Sequence, residues 1–510
     1  MTIPNSLGDY KVVSDKVKDV LSRRIDVVNP FLDANRSGAS GLEPFRSVIA
    51  SGRKTLPRRY HTLYLEVLEA ALNQAEKSMT GKSAQAVKNV REQLAAVFGT
   101  LSMPIVQLEQ KDHSLKAYLS VISNLYRRFL EDEKVAEKLK ESGYLTDLDP
   151  LGFFVDSDDE PYTIAPTRDM PLAFIAKPVQ YADFAPLYFI EGHEVGGHVL
   201  LSKITGFSTE VRELLRKSVR KTLRAGTLPS GSARVKVPRK PGLFRRPYKE
   251  VAVSTFLSEV FATWSQELFC DACGVLNLGP AYVNGLILVL SQTNRKRKLS
   301  RTSSFSLVNG VSTHPFDILR VMFSIAVLKR LNCSDRYIEE LEVRFKEACG
   351  GNLPQELIWL NAIDEPAITM ELEDFRALVE ESAALIVEQQ LNSLKDRSLK
   401  DLCTWGESDE ATTSQLLKEL LSGELDEELP VEARHVVAAS MLAMEQLSGD
   451  SATDFQKQSQ RVNELALGLL AELYEEQCLL CDTPAYNKTR RQDLFNLEKL
   501  ASHVSHPDRF

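Results

Sequence analysis

Glu191-Gly192-His193-Glu194-Val195-Gly196-Gly197-His198 is the stretch on which the reading of this chain turns. Two imidazoles and a carboxylate fall within six residues. Phe184-Ala185-Pro186-Leu187-Tyr188-Phe189-Ile190 runs ahead of them and Val199-Leu200-Leu201 behind. Pro186 suits the first turn of a helix, where its missing N–H would be unpaired in any case. Gly206 suits the end of one. The expectation is a buried helix that carries His-Glu…His.

Neutral imidazole is the commonest protein ligand for zinc. A carboxylate next to the first such ligand is where a zinc peptidase keeps its general base. The usual pattern, His-Glu-x-x-His, puts the ligands at i and i+4. Here the histidines are at i and i+5. On a regular helix that separates them by roughly 140° rather than about 40°. His193 and His198 can reach one ion only through a local i→i+5 bulge, which the spacing predicts at Val195–Gly197. Gly196 and Gly197 permit that distortion. Glu194 and His198 are themselves i, i+4 and form an alternative ligand pair. The plain alternative is a buried helix with two satisfied histidines.

The rest of the chain bounds the possibilities. Its 510 residues allow several domains and ample core. The net charge of −8 argues against wholesale nucleic-acid binding. No signal-like pattern opens the sequence, and no apolar run approaches the length of a membrane span. Seven scattered cysteines do not form a disulfide framework, which points to a reducing cytoplasm. Helical spacing dominates 1–146 and again 331–510. Helices are expected at Tyr337–Ala348, Glu371–Leu394, Thr412–Leu421, Val431–Leu447 and Gln458–Cys478. The lone His61, His113 and His435 read as packing or surface residues.

Between these regions, 147–330 is different in character. Phe153–Asp159 and Thr163–Asp169 read as short extended pieces and turns. Pro171–Pro178 reads as a proline-bounded strand, suited to a sheet edge that could hold an extended peptide. A plain core strand fits the same residues. An insertion at about 214–249 carries twelve Lys or Arg and no acidic residue. Its start is helical and the rest reads as an irregular loop. The basic segment 216–249 could attract an acidic protein or nucleic acid, or be a solvated surface.

Glu250–Leu276 follows as a long helical pattern. Glu267-Leu-Phe-Cys-Asp271 places two carboxylates one turn apart on an otherwise apolar helix, where they need partners. Glu259 is a rival ligand. Cys270 and Cys273 read as small buried residues. Ser312-Thr313-His314-Pro315, followed by Arg320, sets a histidine before a helix-starting proline, where it could donate to an oxyanion or simply sit in a capping turn.

The order of these pieces resembles the gluzincin zinc peptidases. It is most similar to the group containing the prenyl-protein-processing and heat-shock membrane proteases, here as a soluble relative. The six-residue metal motif resembles that of the microtubule-associated tyrosine carboxypeptidases. The likeness covers about Pro171–Arg320. It implies a mainly α fold with a small β component: a zincin-like core of edge strand and active-site helix, flanked by helical regions. It implies Zn2+ held by His193, His198 and Glu267, with Glu194 as base, Asp271 behind a ligand histidine, and His314 facing the site. The activity implied is hydrolysis of a protein or peptide substrate. The alternative is an inactive peptidase-like scaffold that binds a protein or nucleic-acid partner.

Overall fold

The computed structural model describes residues 42–110, 113–134, 136–137, 148–155, 161–166, 170, 172–224, 234–238, 248–293, 298–306, 310–331, 333–360, 366–426, 429–447 and 452–479. The fold is mainly helical with three small sheets. The helical spacing expected at Val12–Leu21 lies outside the described residues. Among the described residues no helix is long and apolar enough to cross a membrane. Cys270, Cys273, Cys333, Cys349 and Cys403 are free thiols.

The described chain divides into two compact units. One draws on Met1–Leu130, Leu139–Tyr188 and Leu416–Arg509, the other on Glu131–Lys138 and Phe189–Gln415. This division cuts across the expected regions 1–146, 147–330 and 331–510. The segment before the motif packs with the N- and C-terminal helices, and the motif itself packs with the chain that follows it.

In the first unit, the helix His113–Arg128 buries Leu115, Tyr118, Leu119, Ile122, Leu125 and Tyr126. Their three- and four-residue spacing makes one apolar face. The helix Ala452–Leu479 and the helix Ala433–Leu447 pack against it. His435 lies in this core, 4% exposed, where its Nδ1 accepts from the Glu432 amide.

A three-stranded sheet completes this unit: β1 (Leu151–Val155), β2 (Tyr162–Ile164) and β3 (Phe174–Pro178). The order is β1-β3-β2. β3 runs parallel to β1, with Leu151 opposite Phe174, and antiparallel to β2, with Tyr162 opposite Ala176. The expected edge strand is therefore the central strand, its backbone taken up on both sides. Its residues are all buried, down to Lys177. That ammonium donates to the Leu187 carbonyl at 3.1 Å and lies over the Tyr118 and Tyr188 rings. Over Phe174–Ala176, where both neighbours pair, the strand has no free edge for an extended peptide.

The second unit is built on helices Phe207–Arg224, Val253–Thr263, Ser265–Leu278, Pro280–Thr293, Asp317–Lys329 and Glu373–Glu388. β4 (Arg234–Pro238) and β5 (Tyr248–Ala252) form an antiparallel pair inside the basic insertion, which corrects the expected loop. The alternation Arg234-Val-Lys-Val carries the period of a strand. The helix expected over Glu250–Leu276 is a strand end and two helices, broken at Trp264.

Trp264 fills the break. Its indole donates to the Ser312 carbonyl at 2.9 Å and stacks on Trp359 at 6.2 Å, with Phe316 edge-on to both. Trp359 belongs to a mixed sheet in the order β7-β6-β8-β9: β6 (Thr302–Ser306), β7 (Gly310–Val311), β8 (Glu356–Leu360) and β9 (Pro366–Glu371). The expectation of helices alone beyond residue 331 thus misses β8 and β9. The helices themselves stand at Asp335–Ala348, Glu373–Glu388, Glu407–Ser422, Ala433–Leu447 and Ala452–Leu479.

Asp149 gives the first unit its most demanding polar contact. It is 2% exposed and accepts from Arg59 Nη2 (3.0 Å), Arg127 Nη2 (2.8 Å) and Ser123 Oγ (2.9 Å). Removing one partner of a buried ion pair strands the other charge. Asp149→Ala should cost about 3 kcal/mol, read as a lower midpoint in chemical denaturation. A loss below about 1 kcal/mol would mean that both guanidinium groups reach water, as they do in surface pairs.

Candidate metal centre

The motif is not a regular helix. An α turn, Glu191–His193, passes into a π turn, Glu194–Val199, and returns to an α turn at Leu200–Lys203. The chain leaves the helix at Ile204, and Gly206 follows at φ +82°. The π turn has the i→i+5 geometry that the histidine spacing requires. It brings the imidazole centroids of His193 and His198 to 4.9 Å. Both rings are buried, as are Glu191 and Glu194.

The helix Ser265–Leu278 supplies the opposing wall. Glu267 Oε2 lies 3.7 Å from His193 Nε2, and Glu267 Oε1 lies 3.9 Å from His198 Nε2. Tetrahedral zinc with bonds near 2.0 Å separates neighbouring ligand atoms by about 3.3 Å, so these groups need to close by only a few tenths of an ångström. Glu267 is 3% exposed, and its Oε2 accepts no hydrogen bond. A buried carboxylate oxygen in that condition fits a cation beside it. His314 Nε2 stands 3.9 Å from Glu267 Oε1, on a side chain that is 41% exposed. Arg320 Nη1 is 3.6 Å from Oε2.

Among the described residues, the ligand atoms of His193, His198 and Cys270 come within 4.8 Å of one another. That buried cluster could hold a metal ion. Neither Glu194 nor Glu267 is part of that grouping. Cys270 reaches the π turn because residue 197 is a glycine. A Cβ there would sit 2.4 Å from Cys270 Sγ and 2.6 Å from Cys270 Cα. Burial pushes the Cys270 thiol well up, and the charges of Glu267, Glu194 and Asp271 act the same way. The sulfur is therefore a neutral thiol until something displaces its proton.

Asp271 stands one helical turn beyond Glu267 and is fully buried. Its Oδ1 accepts from His193 Nδ1 at 3.0 Å, and Arg320 grips both oxygens at 2.7 and 2.9 Å. Burial would raise this carboxyl. The Arg320 guanidinium and the His193 hydrogen bond outweigh it and hold it well below the usual carboxylate range. The same pairing shapes His193. Burial would lower its pKa, but the Asp271 hydrogen bond and the Glu267 charge leave it raised. For His198 the balance runs the other way, although Asp271 also acts to raise it. Burial, His193 and Arg320 drive it well down, so its imidazole is neutral and its lone pair is available.

The sequence-chosen residues thus separate into two groups. His193, His198, Glu194, Glu267, Asp271 and His314 belong to this one unit, and all but Glu194 are linked by the distances above. Glu259 does not join them. It is half-exposed on the helix Val253–Thr263, and its carboxylate is taken by Arg216 (2.9 Å) and Arg220 (3.1 Å). A charge already answered at the surface is no ligand for a buried ion. Cys270 and Tyr282 take part without having been chosen. The first carried a signal, since it lies between Glu267 and Asp271. The second carried none, because it sits on the next helix beyond Gly279.

Comparison of the chain with family models, with curated proteins and with solved structures gave no match. What can be said of the site comes from its own geometry.

Gly197→Val places branched carbons where the Cys270 backbone already lies. The two helices must part, at a cost of about 1–3 kcal/mol for overpacking. Metal affinity should fall well beyond any loss of helical signal in far-ultraviolet circular dichroism. Equal metal affinity in the variant and the parent would show that close approach at Gly197 is not needed for the site.

Proposed function

We propose that this chain is a zinc-dependent metallopeptidase that hydrolyses peptide bonds of a protein substrate. The observation that carries the reading is the π turn, which turns two histidines five residues apart onto one buried carboxylate. A distortion of this kind is often found at functional sites. The donor set, imidazole and carboxylate with a thiol beside them, suits zinc better than magnesium or calcium.

His193 and His198 are the imidazole ligands, and Glu267 is the carboxylate ligand that the resemblance to the gluzincins implies. A zinc ion held there would supply Lewis acidity to the scissile carbonyl and to a water molecule. Glu194 follows the first ligand on the buried side of the turn. Its carboxylate takes the proton from the attacking water and passes it to the leaving amine. His314 is half-exposed and directed at Glu267, a place from which it donates to the oxygen that gains charge. Free thiols at Cys270, Cys273, Cys333, Cys349 and Cys403 suit a reducing compartment such as the cytoplasm. The basic segment 216–249 remains a docking site for an acidic partner only in part, since Arg216 and Arg220 already bind Glu259.

A second reading has an observation of its own. Cys270 is one of the three residues of the buried cluster, and with Glu267 it would make four protein donors. Four protein ligands would close the coordination shell, as in structural zinc sites. The chain would then be a metal-stabilised scaffold that binds a partner.

Zinc content and hydrolysis, measured together, separate these readings. Purified protein should hold about one zinc per chain, lost in His193→Ala and in His198→Ala. Glu194→Gln should keep the zinc and the fold while hydrolysis of a denatured protein falls by about 10²–10⁴. Zinc that survives the double alanine variant would sink the metal site. A wild type that binds zinc but cleaves nothing would favour the scaffold.

A further inference from the structure

Asp271 Oδ1 accepts three hydrogen bonds: from His193 Nδ1 (3.0 Å), from Arg320 Nη2 (2.7 Å) and from the Tyr282 hydroxyl (2.7 Å). The other oxygen, Oδ2, accepts from Arg320 Nε at 2.9 Å. Tyr282 comes from the helix Pro280–Thr293, and its ring is packed on both sides. The Phe189 ring meets it edge-on at 5.7 Å. On the other side lies Gly274, where a Cβ would fall 2.2–2.5 Å from the tyrosine ring atoms. The absence of a side chain at residue 274 is what lets the ring lie across that helix and bring its hydroxyl to Asp271.

We infer that Tyr282 is a positioning residue of the metal centre, whose hydroxyl fixes the oxygen of Asp271 that faces His193 and so fixes the tautomer of that ligand. The inference rests on the metal-site reading above. The physical argument concerns where His193 Nδ1 can place a hydrogen. Its neighbours are Asp271 Oδ1, the Tyr282 hydroxyl at 3.4 Å and Arg320 Nη2 at 3.4 Å. Arg320 has only hydrogens to offer. The Tyr282 hydroxyl, at 2.7 Å from a carboxylate, points its hydrogen at Asp271. The one acceptor left to Nδ1 is then Oδ1, so the ring carries its hydrogen on Nδ1. In the neutral ring, the form observed at a pH above the raised pKa of His193, Nε2, the nitrogen directed at Glu267, is left with its lone pair.

Removing the hydroxyl changes this balance. A guanidinium and a carboxylate prefer a symmetric two-bond fork. Arg320 already holds both oxygens in that fork. With Tyr282 absent, Oδ1 keeps only its Arg320 and His193 bonds, and the carboxylate is free to shift within the fork away from His193. Outer partners of this kind commonly change metal affinity by about 10–100-fold.

The test is Tyr282→Phe, which keeps the ring and removes only the oxygen. Two measurements are made on the full chain. The first is zinc affinity by competition with a chromophoric chelator. The second is nitrogen NMR of histidine-labelled protein without metal, which reports the hydrogen on Nδ1 or Nε2 of His193. The wild type should show the Nδ1–H tautomer. Tyr282→Phe should weaken zinc about tenfold and mix the tautomers, with little change in the unfolding temperature of the metal-free form. In an Asp271→Asn background the same change should have no further effect on affinity, because the hydroxyl acts only through that carboxylate. Equal zinc affinity and an unchanged tautomer in Tyr282→Phe overturn the inference and leave the ring as packing. An Nε2–H tautomer in the wild type overturns it without any variant. A wild type that binds no zinc removes the metal-site reading instead, and the tautomer measurement still decides what Tyr282 does.

Discussion

Five residues of separation between His193 and His198 is the constraint from which the second unit follows. Two side chains at i and i+5 share a direction only where the helix is underwound. The π turn Glu194–Val199 meets that need, and it has a structural cost: it leaves an irregular backbone in the middle of a buried element. Neighbours must hold it. The helix Ser265–Leu278 does so by lying unusually near, against Gly192 at one end of the turn and Gly197 at the other. That nearness is also what carries Glu267, Cys270 and Asp271 to the two imidazoles. One choice of spacing therefore sets the helix geometry, the glycines and the donor set together.

Charge explains how so many ionisable groups share one dry space. Glu267 and Asp271 bring two carboxylates to a helix that is otherwise apolar, and burial penalises both. Arg320 answers this from across the unit, with both oxygens of Asp271 in its fork and Glu267 at 3.6 Å. The two histidines then diverge. His193, tied to Asp271, is raised, whereas His198, where burial, His193 and Arg320 outweigh Asp271, is lowered. Divergent environments for like groups are a mark of sites that divide a chemical task. The same division could serve a purely structural ion, since a ligand must be neutral at its donor atom in either role.

How much of this was legible in the sequence depends on whether a feature is local. The π turn was legible, because the histidine spacing and the glycine pair both lie in one turn. Glu267 and Asp271 were legible for the same reason, one turn apart on an apolar face. Glu259 had an equal claim by sequence. Only the approach of Arg216 and Arg220 from another helix, which no local pattern encodes, withdraws it. The strand Phe174–Pro178 was legible as a strand, but its place in the sheet was not. Which flank stays open depends on β1 and β2, two short partners whose pairing is a tertiary fact. β8 was missed although Leu357 and Trp359 alternate with more exposed neighbours, because five residues between long helices give a weak period. Tyr282 was beyond reach altogether: its role depends on a hydroxyl and a carboxylate on different helices.

Cys270 bears on the kind of centre this is. Sulfur in a shell of two imidazoles selects zinc and its chemical neighbours over hard cations. It would compete with Glu267 for an ion bound there, since the two stand one turn apart on one helix. The two donors are not equivalent. The carboxylate has other company, Arg320 at 3.6 Å and His314 at 3.9 Å, and can satisfy part of its charge without an ion. The thiol must lose a proton before it can bind, in surroundings where burial and three carboxylates oppose that loss. A bound cation would reverse that balance, because coordination displaces the thiol proton, so both donors stay open to it. A shell of three protein ligands keeps one position for substrate, which a catalytic site needs and a structural one does not. Three protein ligands or four is therefore the structural form of the choice between the catalytic and the scaffold reading.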